Sequence, residues 1–272
     1  MKRFLVLSCS VAISALFFHA CSSSDDSMID APLTRADAVS EKIVFQDDFN
    51  QADSIPDRNK WSLCKKGSPA WSKYLSESYD QAYVHDGKLV LVAEKVNGVY
   101  KTGGVQSLGK AEFQYGKIEI CARFTKTAKG GWPAIWMMPA KPVYSGWPAC
   151  GEIDIMEQLN HDGIVYQTIH SHYKNDLGFT KPVPTKTVSY NKGQFNIFGI
   201  EWTPEALTFK VNGATTLVYP NLHLADESVK KQWPFDTSFY LILNYALGGP
   251  GTWPGTITVS YTHLRAHETC AD

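Results

Sequence analysis

The sequence predicts an all-β chain folded as an antiparallel β-sandwich, and three observations carry that expectation. Apolar residues recur with a period of two, turn signals fall roughly every ten residues, and no segment after the first twenty residues keeps a helical period beyond about two turns. The chain has 272 residues, 44% hydrophobic and 19% charged. That is enough apolar material for one sizeable core, and all-β chains of this size commonly form a single domain. No internal repeat or second domain is visible.

Met1-Lys2-Arg3 is a short basic start, and Phe4 to Ala20 is an apolar run ending just before Cys21. The run is too short for a comfortable membrane span and sits where a secretory signal belongs, so residues 1–20 are expected to be a signal peptide. Phe18-His19-Ala20-Cys21 resembles a bacterial lipobox, with His19 an unusual choice. The resemblance implies cleavage before Cys21 and acylation of its thiol, which tethers the chain to a membrane without spanning it. An ordinary signal peptide with an incidental cysteine is the alternative. Ser22-Ser23-Ser24-Asp25-Asp26 resembles the stretch that follows the lipidated cysteine in surface lipoproteins of Bacteroides-like bacteria. That implies a place at the outer membrane or cell surface. Residues 21–40 hold little apolar content and are expected to be a flexible tether.

The folded domain is expected over residues 41–258. In Gly116 to Phe124, Ile118, Ile120, Ala122 and Phe124 share one face, while Lys117, Glu119 and Arg123 share the other. Lys88 to Ala93 and Phe239 to Leu243 are denser apolar strands, as burial on both faces requires. Thr208 to Val211, then Asn212-Gly213, then Ala214 to Tyr219 form a hairpin signal, because Asn-Gly supplies the positive φ angles of a tight turn.

Composition excludes several classes. A net charge of −1 gives no electrostatic footprint for nucleic acid or anionic membrane. Of six cysteines, Cys9 leaves with the signal, Cys21 is the lipid site and Cys270 lies in the tail. Cys64, Cys121 and Cys150 remain, with no CxxC spacing. They are expected as buried free thiols, with one disulfide at most, and no metal site is readable. Aromatics make up 12% of the chain, 8 of them Trp and 13 Tyr, which suits sugar rings and sandwich cores alike.

The chemistry lies in Gly151-Glu152-Ile153-Asp154-Ile155-Met156-Glu157. On a regular strand Glu152 and Asp154 face one way and Ile153 and Ile155 the other, which leaves Glu157 with the wrong parity. A single β-bulge around Ile155-Met156 would turn Glu157 onto the acidic face. The outer Cα atoms would lie roughly 10–13 Å apart, and inward-leaning side chains close that to the roughly 5–5.5 Å a retaining glycosidase needs between its carboxyls. Crowded like charges cannot all ionise cheaply, so one carboxyl should titrate high and act as the acid. A solvated acidic face is the weaker reading because Ile153, Ile155 and Met156 mark a buried strand. A calcium cluster would want a loop of Asn, Asp and carbonyl ligands.

Glu152-Ile153-Asp154-Ile155-Met156-Glu157 resembles the E-I-D-x-x-E signature of glycoside hydrolase family 16 in its bulged, laminarinase-like form. Trp132-Pro133-Ala134-Ile135-Trp136-Met137, Trp147-Pro148 before Gly151, Thr168-Ile169-His170, Phe198-Gly199-Ile200-Glu201-Trp202 and Asn244-Tyr245-Ala246-Leu247-Gly248-Gly249 agree with it in order, over about residues 43–255. The resemblance implies a jelly roll of the concanavalin A-like lectin/glucanase type, with the cleft across one sheet. It implies Glu152 as nucleophile, Asp154 as its helper and Glu157 as acid/base. Trp132 and Trp136 would shape the sugar subsites, with His170 and Asn244 as polar groups of the cleft. A core role for Trp136 and a structural one for His170 stay open. No cofactor is implied. The family's structural calcium is doubtful here, and the partner is a β-linked polysaccharide or glycan bound by a monomer.

Where many β-1,3-glucanases of the family carry an Asn-Asn-Glu-rich segment, this chain reads Ser68-Pro69-Ala70-Trp71-Ser72-Lys73-Tyr74. Trp71 and Tyr74 are therefore the expected substrate contacts of that loop, and the departure favours a galactose-containing glycan over β-1,3-glucan. A non-catalytic sugar-binding jelly roll and a transglycosylase of the same family are the rivals. The family's last strand, expected to pair beside Ile43 to Phe49, is not matched after Thr256. Residues 259–272 are therefore expected to be a foreign tail, with the sheet edge next to Phe45 unpaired or covered only by Ile257 to Tyr261.

Overall fold

A computed structural model describes residues 42–258, together with the backbone of Ala12–Ala15 and Leu264–Thr269. The expected signal cleavage site, Cys21 and the tether lie outside the described residues. In chain order the strands are β1 (Ala12–Ala15), β2 (Lys42–Phe45), β3 (Ser62–Leu63), β4 (Ala82–Val84), β5 (Leu89–Val96), β6 (Val99–Thr102), β7 (Gly104–Gln106), β8 (Gly116–Arg123) and β9 (Gly131–Pro139). They continue as β10 (Glu152–Gln158), β11 (Ile164–His170), β12 (Thr185–Ser189), β13 (Asn196–Trp202), β14 (Ala206–Val211), β15 (Ala214–Pro220), β16 (Phe239–Leu247) and β17 (Leu264–Thr269). One α-turn, α1 (His172–Asn175), and two short 3-10 turns complete the described elements.

Two antiparallel sheets result. One runs β15-β14-β13-β8-β17-β5-β4, with β6 on β5 and the β1–β2 pair beside β8; the other runs β12-β11-β10-β9-β16-β7-β3. This is the expected all-β sandwich. The period-two strand behaves as read: Ile118, Ile120 and Ala122 of β8 are buried, while Lys117 and Glu119 are half-buried and pair with each other at 2.9 Å. The Asn212-Gly213 turn joins β14 to β15 with φ angles of 51° and 80°. β16 is central to its sheet and nearly continuously buried, matching its dense apolar sequence. One main hydrophobic core fills the space between the sheets, built from rows such as Ile118, Ile120, Ile153, Ile155, Phe198 and Leu243. Cys64, Cys121 and Cys150 are buried free thiols. No helix among the described residues is long and apolar enough to cross a membrane.

The sheet edge differs from the sequence expectation. Phe45 of β2 pairs with Ile13 of β1, and the place between β8 and β5 is taken by the backbone of Leu264–Thr269. Ile257 packs instead against the turn at Gly130 and the main core.

Gly103 marks the tightest approach in the fold. Its amide donates to Val92, and a Cβ there would lie 1.7 Å from the backbone oxygen of Gln81, which itself accepts from the Val92 amide at 2.9 Å. Backbone on both sides leaves nothing flexible to yield. Gly103→Ala is expected to cost about 3 kcal/mol, read as a fall in Tm of roughly 6–12 °C. An unchanged melting curve would show that β5 and its neighbours can part without loss.

Candidate active site

β10 lies between β9 and β11. On the β9 side Asp154 faces Trp136 and Met156 faces Ile135; on the β11 side Asp154 faces Thr168 and Glu157 faces Tyr166. β10 therefore spends one residue more than either neighbour between Asp154 and Glu157. That is the expected bulge, and its mark is that Ile155 and Met156, adjacent in sequence, both enter the core with Ile153. Glu157 consequently shares the opposite face with Glu152 and Asp154. Gly151, at φ 86°, turns the chain into β10 where a Cβ would meet the Pro234 ring at 2.7 Å.

Two of the acids are withdrawn from water, and Glu152 is half-buried at the cavity wall. Asp154 is 1% exposed and Glu157 7%. Two indoles hold the outer pair: Trp147 Nε1 donates to Glu152 Oε2 at 2.6 Å, and Trp132 Nε1 donates to Glu157 Oε1 at 2.8 Å. Asp154 and Glu152 hydrogen-bond each other. His170, opposite Glu152 on β11, brings Nε2 to 3.3 Å from Asp154 Oδ2. Burial pushes Glu152 up to about 8, helped by the charge of Asp154. Burial likewise lifts Asp154 to about 7, and raises Glu157 well above the ordinary carboxylate range. Burial lowers His170, which favours its neutral form.

A cavity of about 790 Å³ opens over these groups, bordered by Trp71, Trp132, Trp136, Trp147, Trp253 and Tyr240 among others, a size suited to an oligosaccharide. Trp71, Trp132, Trp136 and His170 thus stand where the sequence placed them. Trp136 answers both readings. Its ring is 6% exposed in a small second core with Cys64, Leu75 and Ile242, yet it borders the cavity, and Trp71 packs edge-on against it at 4.8 Å.

Two expected contacts are not brought to the cavity. Asn244 is fully buried, its Oδ1 accepting from Trp136 Nε1 at 2.7 Å, because the Trp136 indole and the second core lie over it. Asn244 fixes the indole from behind. Tyr74 turns away to pack edge-on against Tyr100 at 5.8 Å, with Lys73 over its ring.

Sequence reasoning missed Trp147, Trp253, Thr168, Tyr240 and Lys174, all of which border the cavity. Parity along β11 from His170 would have found Thr168. Trp147 and Trp253 are 57% and 52% exposed in Trp-Pro segments, where an exposed indole is a signal for ligand. Nothing in the pattern around Lys174 marks it.

Glu152, Asp154 and His170 each bring one polar atom within 4.8 Å of the others. The burial that raises Glu152 and Asp154 favours proton sharing between the two carboxyls over two full charges. His170 Nε2 faces Asp154, while its Nδ1 faces Asn175 and Lys174 at 3.0 and 3.3 Å.

The family model for glycosyl hydrolases family 16 matches residues 71–263. The keratan-sulfate endo-1,4-beta-galactosidase of Sphingobacterium multivorum is 39% identical over 80% of this chain. This chain covers 51% of that relative, about half its length. The beta-glucanase of Rhodothermus marinus is 32% identical, with 82% of this chain and 84% of the relative aligned. A solved structure from work on endo-acting O-glycanases of the human gut microbiota that initiate mucin breakdown is 35% identical at a TM-score of 0.74, covering 85% of this chain and all of that one. By its bulged acidic strand and by these matches alike, the chain belongs to glycosyl hydrolases family 16.

Proposed function

We propose that the protein is a retaining endo-β-glycanase that cleaves internal bonds of a galactose-containing glycan. The observation that carries the reading is the bulge at Ile155, which puts Glu152 and Glu157 on one face with Asp154 between them. Glu152 attacks the anomeric carbon while Glu157 gives its proton to the departing glycosidic oxygen, forming a glycosyl ester on Glu152. Glu157, now a carboxylate, takes a proton from water, whose oxygen displaces Glu152 and restores both groups. The raised Glu157 suits the acid role. For Glu152 to attack, the proton shared with Asp154 resides on Asp154, which then donates to the nucleophile.

Exposed indoles flank the centre on both sides. Trp147 stands beside Glu152 and His170, and Trp253 packs on Trp132 and Tyr166 near Glu157. Sugar rings on both sides of the scissile bond are what an endo-acting enzyme binds. The galactosidase and O-glycanase relatives support a galactose-containing substrate, and the Trp71 turn that replaces the glucanase segment supports it too. The apolar start and the lipobox-like Phe18-His19-Ala20-Cys21 support secretion as a lipoprotein anchored at the outer membrane through Cys21. Residues 21–40 then serve as its tether.

Product analysis on laminarin, mixed-linkage glucan, agarose-type galactan and mucin O-glycans tests the reading. Galactose-containing glycans are expected to yield internal fragments, and NMR of fresh product to show the β anomer first. Cleavage of laminarin alone would overturn the substrate class, and an initial α anomer the mechanism.

Roles are separable by substitution. Glu152→Ala is expected to abolish turnover. Glu157→Ala is expected to lose about 10²–10⁴-fold on native glycan, with partial recovery by azide or with substrates whose leaving group needs no proton. Ordinary activity of Glu157→Ala would remove it from the acid/base role.

The raised carboxyls also set a stability slope. Between the ordinary carboxyl range near pH 4 and about pH 8, where Glu152 titrates, the folded state binds more protons than the unfolded chain. Stability therefore falls as pH rises through this window. Asp154→Asn is expected to flatten the decline in Tm between roughly pH 5 and 8; an unchanged slope would count against proton sharing in this cluster.

A further inference from the structure

α1 (His172–Asn175) follows β11 directly and is capped by Ser171, whose Oγ accepts from the Lys174 amide at 3.3 Å. This single turn aims two side chains back at His170. Asn175 Oδ1 accepts from the Ser171 amide at 3.3 Å, and both Asn175 Nδ2 and Oδ1 lie within reach of His170 Nδ1, at 3.0 and 3.3 Å. Lys174 Nζ donates to the same nitrogen at 3.3 Å. A lysine ammonium can only donate, so a neutral His170 bonded to Lys174 through Nδ1 carries its hydrogen on Nε2, the atom 3.3 Å from Asp154 Oδ2.

We propose that Lys174 is a positioning residue: it holds His170 as the tautomer whose Nε2–H faces Asp154, and it sets one positive charge against the three carboxyls. The proposal rests on the reading of Glu152 and Glu157 as the catalytic pair.

The groups around Lys174 fit this role. Burial lowers Lys174, and from β10 the charges of Asp154, Glu152 and Glu157 offset part of that; its own charge in turn lowers Asp154 and Glu157 against the burial that raises them. From β11 comes the neutral His170. On α1 itself His172 is engaged with Asp176 at 2.6 Å. The Lys230–Gln232 turn that packs on α1 holds Lys230 on Glu227 and Lys231 over the Tyr144 ring, and from β15 comes Tyr219. None of these supplies a second cation to the acids. A bare strand of three buried carboxyls would hold its protons to higher pH, and a cation at its end keeps the nucleophile pair ionisable.

The test uses the whole chain with ¹⁵N-labelled histidine. In the wild type, His170 is expected to show the neutral Nε2–H pattern near neutral pH. Lys174→Met should lose that fixed tautomer and protonate His170 more readily. Both limbs of its pH–rate profile should move upward by on the order of one pH unit, with kcat changing more than KM. Lys174→Arg should restore the wild-type profile, and Lys174→Gln serves where Met impairs folding. An unchanged His170 spectrum and profile would overturn the proposal. So would a loss confined to KM, which would make Lys174 a contact for an anionic or hydroxyl substituent of the glycan. If the wild type cleaves no glycan the functional reading fails, while the tautomer still stands or falls on the spectrum alone.

Discussion

The catalytic face depends on one extra residue in β10, because a strand of strict alternation cannot send acids at positions 152, 154 and 157 to the same side. The bulge at Ile155 has a thermodynamic counterpart on the other face. Ile153, Ile155 and Met156 are fully buried, and the burial of each is worth about 1.5–3 kcal/mol. A strand that slipped by one residue would expose these three and bury carboxyls in the core instead. The hydrophobic side of β10 thus enforces the register that its polar side needs.

Withdrawing three carboxyls from water is costly unless each is hydrogen-bonded. The two indoles answer that need in a specific way. An indole N–H only donates and takes no proton at neutral pH, so Trp147 and Trp132 support the charged forms of Glu152 and Glu157 without competing as acids or bases. Asp154 has no such donor of its own: it hydrogen-bonds Glu152, while its Oδ2, 3.3 Å from His170 Nε2, makes no hydrogen bond among the described residues. The site is consequently a chain of shared protons in which the ionisation of one member is set by the next. That explains why its carboxyls titrate high as a group and why groups beyond them, on β11 and α1, bear on the chemistry.

The strands and their chemistry were legible because both have a period. The alternation in Gly116 to Phe124 marks β8, Asn212-Gly213 marks the β14–β15 hairpin, and the parity mismatch of Glu157 marks the bulge. The residues misplaced or overlooked sit where period carries no information. Asn244 lies on the right face of β16, but burial there is decided by what neighbouring elements lay over it, here the Trp136 indole. Tyr74 lies three residues past Trp71 in an irregular segment, and the direction of each ring depends on the 3-10 turn between Ala70 and Ser72. Lys174 reaches the site through a one-turn helix whose cap, not its composition, sets its aim. The edge beside β5 is a tertiary pairing with Leu264–Thr269 that the unpatterned sequence there did not announce.

Acids and rings are attached to the fold in different ways, and this bears on how one scaffold serves relatives with different named substrates. Glu152, Asp154 and Glu157 ride on a central strand paired on both sides, so moving one would break ladder bonds to β9 and β11 together. Trp71, Trp147, Trp253 and Lys174 come from four separate connections, each tied to the centre by an edge contact or a hydrogen bond. A change in any one of these connections alters what the cavity presents while leaving the ladder of β10 intact. The galactosidase relative and the glucanase relative, 39% and 32% identical to this chain, are named for different sugars. Their difference is therefore expected in the connections and not in the strand. The Trp71 turn of this chain replaces a segment typical of β-1,3-glucanases, and it is one such connection. It carries its ring against Trp136, whose indole is anchored by Asn244 from the strand behind, so the specificity surface is built outward from a fixed catalytic floor.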